Sequence, residues 1–411
     1  MGASKTAVLA APHALFDSLR HINAQHIPAA LPVGYVRSDL EHALAFLRAY
    51  QGSQGTFNAY RRDVERLLHW CALIVDKSLA ALKREDITAF ITFCQKPPPQ
   101  WIGCKKLARF IEQHGVRVAH PQWRPFVVTV SKLDHRRGIQ PDLEQFSLGQ
   151  GSVKELFAIL SSFYQYLLQE EYVTANPVAL IRQKSRFIRR TQSRPKIRRL
   201  SSLQWQYVIE TVAEQAVQDP NKHERTLFIF SALYALYLRI SELTATERWT
   251  PRMNDFFRDQ DELWWFNTVG KGNKERQIAV SDAMLCALKR WRGHLGLSPL
   301  PSPADHSPLL PRTRGVGPIK SSNHIRRIVQ QGFDAAIQAL HRDGLGEEAD
   351  TLQEATVHWL RHTGISDDVK IRPREHVRDD AGHSSGAVTD QYINVELCER
   401  YRSAWKKPIA G

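Results

Sequence analysis

Residues 182–199 carry nine lysines and arginines and no acid: Arg182, Lys184, Arg186, Arg189, Arg190, Arg194, Lys196, Arg198 and Arg199. So many like charges in one short stretch cannot be buried together without partners. The stretch therefore belongs to no core and divides the 411-residue chain into two parts, each long enough to enclose a core of its own. The expected organisation is a partly ordered N-terminal arm over 1–36, a helical domain over 37–182, a basic linker over 183–200, a second domain over 201–392 and a C-terminal segment over 393–411. Within the linker, Arg189, Arg190, Arg198 and Arg199 are candidates to lie along a phosphate backbone.

The whole chain is basic, with 56 Lys and Arg against 42 Asp and Glu and a net charge of +14. That excess points to a polyanionic partner, nucleic acid or an anionic membrane surface. Membrane is disfavoured because no apolar run approaches the ~20 residues that span a bilayer. The five cysteines (Cys71, Cys94, Cys104, Cys286, Cys398) lack the short paired spacings of a zinc site or a disulfide framework, which fits a reducing, cytoplasmic compartment.

Apolar periodicity predicts helices in the first domain. Leu40, Ala43, Leu44 and Leu47 share one face, and Phe57, Tyr60, Val64, Leu67, Leu68 and Cys71 form a second stripe over about 53–75. The opposite face of that second helix carries Arg61, Arg62 and Arg66, which are candidate DNA contacts and read equally well as solvated charge. Pro97-Pro98-Pro99 opens a long insertion, about 97–150, without sustained period. Ser152 with Glu155 reads as a capping box, and Asn176-Pro177 as the end of the domain. In the second half, 201–217 and 225–244 read as helices. Leu263–Phe266 and Arg276–Val280 read as strands joined by the turn Gly270-Lys271-Gly272-Asn273-Lys274-Glu275. The fold class is mainly α with a small β-sheet.

Six residues in this half form a candidate phosphoryl-transfer site: Arg239, Lys271, His358, Arg361, His383 and Tyr392. Arginine can clamp two non-bridging phosphate oxygens with its planar fork, and lysine carries a proton to donate at neutral pH. Tyr392, with an ordinary pKa near ~10, needs cations and hydrogen bonds around it to act as a nucleophile. Bland readings stand beside each. Arg239 can pair with Glu242 three residues on, Lys271 can be a solvated turn lysine, and Tyr392 a packed aromatic. His358 and His362, one helical turn apart, also suit a metal pair, although no third ligand is in view.

These strings occur in the order of a known family. From about Ser38 to Val395 the chain resembles a tyrosine recombinase of the phage-integrase family. Leu238-Arg239-Ile240-Ser241-Glu242-Leu243 resembles the box of the first arginine, and Val269–Arg276 the hairpin of the catalytic lysine. His358-Trp359-Leu360-Arg361 resembles the His-x-x-Arg box, and Gly382-His383-Ser384-Ser385 with Tyr392 the last histidine and the nucleophile. The resemblance implies a core-binding domain and a catalytic domain forming a C-shaped clamp on double-stranded DNA with a specific recombination site. It further implies a homotetramer on two sites, accessory DNA-bending proteins, and no cofactor, ATP or metal. It assigns attack on the scissile phosphate to Tyr392, charge stabilisation to Arg239 and Arg361, and leaving-group protonation to Lys271. His358 would assist proton transfer, His383 would hydrogen-bond the phosphorane, Glu242 would orient its neighbours, and Lys274 would touch DNA beside the hairpin. The chain differs from the family in having Tyr237 and Leu238 where small residues commonly lead into the first arginine, in Asn394 where many members have histidine, and in the polar segment 367–376.

Overall fold

The computed structural model describes residues 11–50, 52–184, 187, 198–247, 249–270, 274–383, 386, 389, 404 and 405. Lys271, Tyr392, Arg189 and Arg190 lie outside the described residues. The chain forms two units, Met1–Gln192 and Ser193–Gly411.

Unit 1 opens with α1 (Arg37–Ala49), on which Leu40, Ala43, Leu44 and Leu47 are all buried, as their spacing predicts. In α2 (Gln54–Trp70) the Ser53 hydroxyl accepts from the Thr56 N–H at 3.1 Å, satisfying one of the helix's orphan donors. After α3 (Arg84–Gln95) the insertion has structure of its own. β1 (Ile102–Gly103) pairs in parallel with β4 (Phe126–Val127), while β2 (Phe110–Gln113) and β3 (Val116–Ala119) form a hairpin. Its turn is His114-Gly115, both at positive φ, which the twist of a two-residue hairpin requires. α4 (Lys132–Arg136) leads to α5 (Gln150–Gln169) and α6 (Pro177–Lys184).

Two boundaries differ from the sequence reading. α5 starts before Ser152, which therefore sits inside the first turn and makes no cap. Asn176 does not end the unit: its side chain accepts from the N–H of Val178 and Ala179, at 3.1 and 3.2 Å, and so begins α6. The arm is also more ordered than its weak patterning suggests, since Phe16 and Ile22 are fully buried in the unit's core.

That packing corrects the reading of the arginines on α2. Arg61 and Arg66 are 7% and 8% exposed. Arg61 donates to the Asp17 carbonyl and, at 2.9 Å, to Asn58 Oδ1. Arg66 grips the Pro125 carbonyl through Nε and Nη2 at 3.0 and 2.8 Å and lies over the Phe126 ring. Beside them Glu65 accepts from the backbone of Leu15 and Phe16 and pairs with Arg109. A buried guanidinium needs such partners, so these arginines fasten the arm and the insertion to α2 instead of facing a phosphate. Arg62 is partly exposed and paired with Asp63 and Glu155 at 2.7 and 2.9 Å.

Unit 2 contains α7 (Ser202–Gln218), opened by a Ser201/Gln204 capping box, and α8 (Pro220–Ala235). The antiparallel sheet β5 (Phe256–Arg258), β6 (Trp264–Val269) and β7 (Glu275–Ala279) follows, in the order β5-β6-β7. α9 (Asp282–His294), α10 (Ser322–Arg342), α11 (Gly346–Leu352), α12 (Val357–Asp368) and α13 (Arg374–Ala381) complete it. Phe228, Phe230, Leu233, Leu288, Trp291, Phe333 and Leu360 are among the side chains of its core. Among the described residues, no helix is long and apolar enough to cross a membrane.

Candidate active site

The helix expected over 225–244 stops at Ala235, so Arg239 does not sit inside it. Tyr237 takes a φ of +49, which turns the chain, and Arg239 becomes the extended residue heading a short 3-10 turn, Ile240–Glu242. In that position Glu242 reaches back to the Arg239 N–H at 2.8 Å and to Arg239 Nη1 at 3.0 Å. The salt bridge weighed above as a plain alternative therefore exists, but it serves a third group as well. Arg276 on β7 donates Nη1 and Nη2 to the two oxygens of Glu242 at 2.9 and 2.8 Å. The carboxylate is 1% exposed. Burial pushes its pKa up, but the hydrogen bonds and charge of Arg276, the Arg239 N–H and the charge of Arg361 outweigh burial and hold it below the ordinary glutamate value.

Arg276 was not singled out from the sequence. Strand alternation carried the signal, because Arg276 shares a face with buried Ile278 and an inward arginine demands a carboxylate. Two glycines make room for it. A Cβ on Gly382 would lie 2.9 Å from Arg276 Cδ, and one on Gly270 would lie 3.2 Å from Arg276 Nη1 and 3.3 Å from Glu242 Oε1. Gly270 immediately precedes Lys271, so the strand end that leads to the lysine lies against the arginine cluster. Lys274 is exposed, and its carbonyl accepts from the Gly270 N–H at 2.8 Å.

α12 supplies the second arginine. Arg361 is 3% exposed and donates through Nη1 to the Tyr237 carbonyl and through Nη2 to the Ala381 carbonyl at 2.5 Å. It thereby ties the turn after α8 to the end of α13. Gly382, at φ +64, ends α13 and delivers His383, whose Nδ1 is 2.9 Å from Thr389 Oγ1. His358 and His362 stack on α12 with ring centroids 5.6 Å apart. All three histidines are held below their ordinary value. Burial is the main cause, followed by Arg361 and Arg239 for His358 and His383, and by His358 and Arg361 for His362. His362 and His383 are pushed down to about 4. Among the described residues no three His, Cys, Asp or Glu side chains cluster as metal ligands.

Arg239, the α12 pair His358 and Arg361, and His383 thus come from three segments into one electrostatic neighbourhood, with Glu242 and Arg276 bonded beside Arg239. Chemically, this is a site rich in hydrogen-bond donors and held positive, suited to an anion that gains charge as it reacts.

A helical unit with a three-stranded sheet carries this arrangement of arginines and histidines. Residues 204–397, most of the second unit, match the Phage integrase family. Over 291 residues the chain is 24% identical to tyrosine recombinase XerC of Chlorobaculum parvum, covering 67% of this chain and 75% of that protein. Over 276 residues it is 28% identical to tyrosine recombinase XerD of Chlorobaculum tepidum, covering 64% and 76%. In fold it is similar to the XerH site-specific recombinase solved on palindromic difH substrate, with a TM-score of 0.55 at 12% identity, over 95% of this chain and 94% of that one.

Proposed function

We propose that the protein is a site-specific recombinase that cleaves and rejoins duplex DNA through a 3′-phosphotyrosyl intermediate. The observation that carries this reading is the bonding that brings three segments together: Arg239 and Arg276 share the Glu242 carboxylate, and Arg361, three residues after His358, ties the Tyr237 carbonyl, two positions before Arg239, to the Ala381 carbonyl, two positions before His383. Tyr392 attacks the scissile phosphate and frees a 5′-hydroxyl, while Arg239 and Arg361 stabilise the charge on the non-bridging oxygens. Lys271 protonates the leaving oxygen, His358 assists the proton transfer at Tyr392, and His383 hydrogen-bonds the phosphorane. Glu242 holds Arg239 and Arg276 in register and touches no substrate atom. The phosphotyrosyl bond conserves the energy of the cleaved link, so ATP is not needed, and the cations take the role that a divalent metal has elsewhere. Lys274 and the linker arginines Arg189, Arg190, Arg198 and Arg199 contact the DNA backbone. The working form is a homotetramer on two sites in the cytoplasm, assisted by DNA-bending proteins.

Integration or excision of a mobile element is the first biological reading, because the structured insertion after Pro97 extends the DNA-binding unit. Resolution of replicon dimers is the second, favoured by the relatives that are XerC and XerD recombinases. The test of the chemistry is Tyr392→Phe on a nicked suicide substrate in a denaturing gel with EDTA present. Wild-type protein should form a covalent adduct and the variant none, with DNA binding retained. An adduct in the variant would move the nucleophile to another residue, and none from either protein would leave an inactive DNA-binding relative. Strand exchange between copies of the gene's own flanking DNA, against exchange at a chromosomal site, separates the two biologies.

A further inference from the structure

Tyr237 stands where small residues commonly lead into the first arginine box, and its φ of +49 supplies the physical reason for small residues there. A side chain in the left-handed region is strained, and such strain persists only where surrounding contacts over-determine it. Here they do. The Tyr237 ring is 1% exposed and packs with Ile365, Val377 and Ala381. Its hydroxyl donates to Asp368 Oδ2 and accepts from Arg372 Nη1 at 2.9 Å. Arg372 in turn bonds Asp368 at 3.2 Å and, through Nη2, Asp380 at 2.6 Å. Burial first, and then the Asp368 carboxylate, push the hydroxyl's pKa above the ordinary tyrosine value, so it stays a donor. The unusually polar segment 367–376 thus contains the partners of the unusual tyrosine, and the two departures from the family pattern are one structural feature.

The same residue reaches the catalytic group, since its carbonyl accepts from Arg361 Nη1 and it lies two positions before Arg239. Resting on the recombinase reading of the site, we propose that Tyr237 is a positioning residue. Its hydroxyl, anchored by Asp368 and Arg372, fixes the left-handed peptide whose carbonyl orients Arg361 toward the scissile phosphate. Glycine at this position would accept the backbone but hold nothing. In this chain the turn is latched from the side-chain end.

The experiment is single-turnover cleavage of a suicide half-site at saturating DNA by the full-length protein. Tyr237→Phe keeps the ring and the backbone and removes only the hydroxyl, leaving Asp368 paired with Arg372. The cleavage rate should fall about tenfold, the scale expected from slight misplacement of a transition-state donor. DNA affinity should stay within twofold of wild type. In an Arg361→Lys background the same change should cost less than twofold, because residues acting through one group are not additive. Tyr237→Gly, which adopts positive φ without strain, is the second variant if the first folds poorly, and should show the same fall in rate per folded molecule. A wild-type rate per folded molecule in either variant, or equal losses with and without Arg361→Lys, would overturn the proposal. Adduct formation by the wild-type protein tests the recombinase reading separately.

Discussion

Arg276 spans the carboxylate of Glu242 with both terminal nitrogens, and Arg239 binds the same carboxylate from the other side. One buried acid therefore carries two guanidinium groups, and the net charge around it stays positive. A fork of this kind fixes orientation as well as distance, so the carboxylate acts as a template on which Arg239 is set before any substrate arrives.

Glu242→Gln should therefore destabilise unit 2 by about 3–5 kcal/mol, the range for breaking a buried ion pair and leaving its cations uncompensated. Denaturant unfolding measures the loss. Cleavage should fall by roughly a hundredfold or more, as when one oxyanion donor is lost. Full stability in the variant would show that the two arginines find other partners.

The histidines give a pH signature. His362 and His383 titrate near 4 in the folded protein against an ordinary 6.5, so between those values the unfolded chain holds more protons. Stability is therefore complete above 6.5 and declines as pH falls toward 4. A DNA phosphate placed among these groups favours their charged forms. Binding at pH 5 to 6 should take up protons, seen by titration calorimetry in two buffers of different ionisation enthalpy. Release of protons would place the phosphate elsewhere.

Arg61→Ala and Arg66→Ala should lower the melting temperature of the protein yet leave the salt dependence of DNA binding unchanged. Each lost phosphate contact would flatten the slope of log affinity against log salt by about 0.9, and these side chains are spent on the arm and the insertion. Replacing the exposed Lys274 should flatten it by about one such step. A flatter slope for Arg61→Ala would return that residue to the DNA interface.

Gly382→Ala places a Cβ at 2.9 Å from Arg276 Cδ on a residue with φ +64. Left-handed backbone costs about 1–2 kcal/mol for a residue with a Cβ, and Arg276 must shift. Thermal unfolding should register the first effect. A fall in cleavage larger than the lost folded fraction should register the second.

Much of this was legible beforehand. Stripes such as Leu40, Ala43, Leu44 and Leu47 report helices because burial of one face follows the 3.6-residue period, and the candidate boxes around Arg239, Arg361 and His383 stood out because they combine residue types that phosphate chemistry uses. What escaped depended on contacts distant in sequence. Arg61 and Arg66 look like a solvated basic face until the arm and the insertion fold over them. The break after Ala235 was invisible because Tyr237 is no turn residue by composition, and its left-handed backbone is stabilised by Asp368 and Arg372, more than a hundred positions away. Arg276 needed the strand's alternation to be followed one step further, to Ile278.

On α12, three residues past Arg361, a Cβ on Gly364 would stand 2.1 Å from the Tyr234 carbonyl oxygen. The helix bearing His358 and Arg361 thus rests directly on the backbone of α8, with no side chain between to act as a bearing. Turning or sliding it would drive atoms into that carbonyl, so the arginine half of the site is held like a fixed anvil.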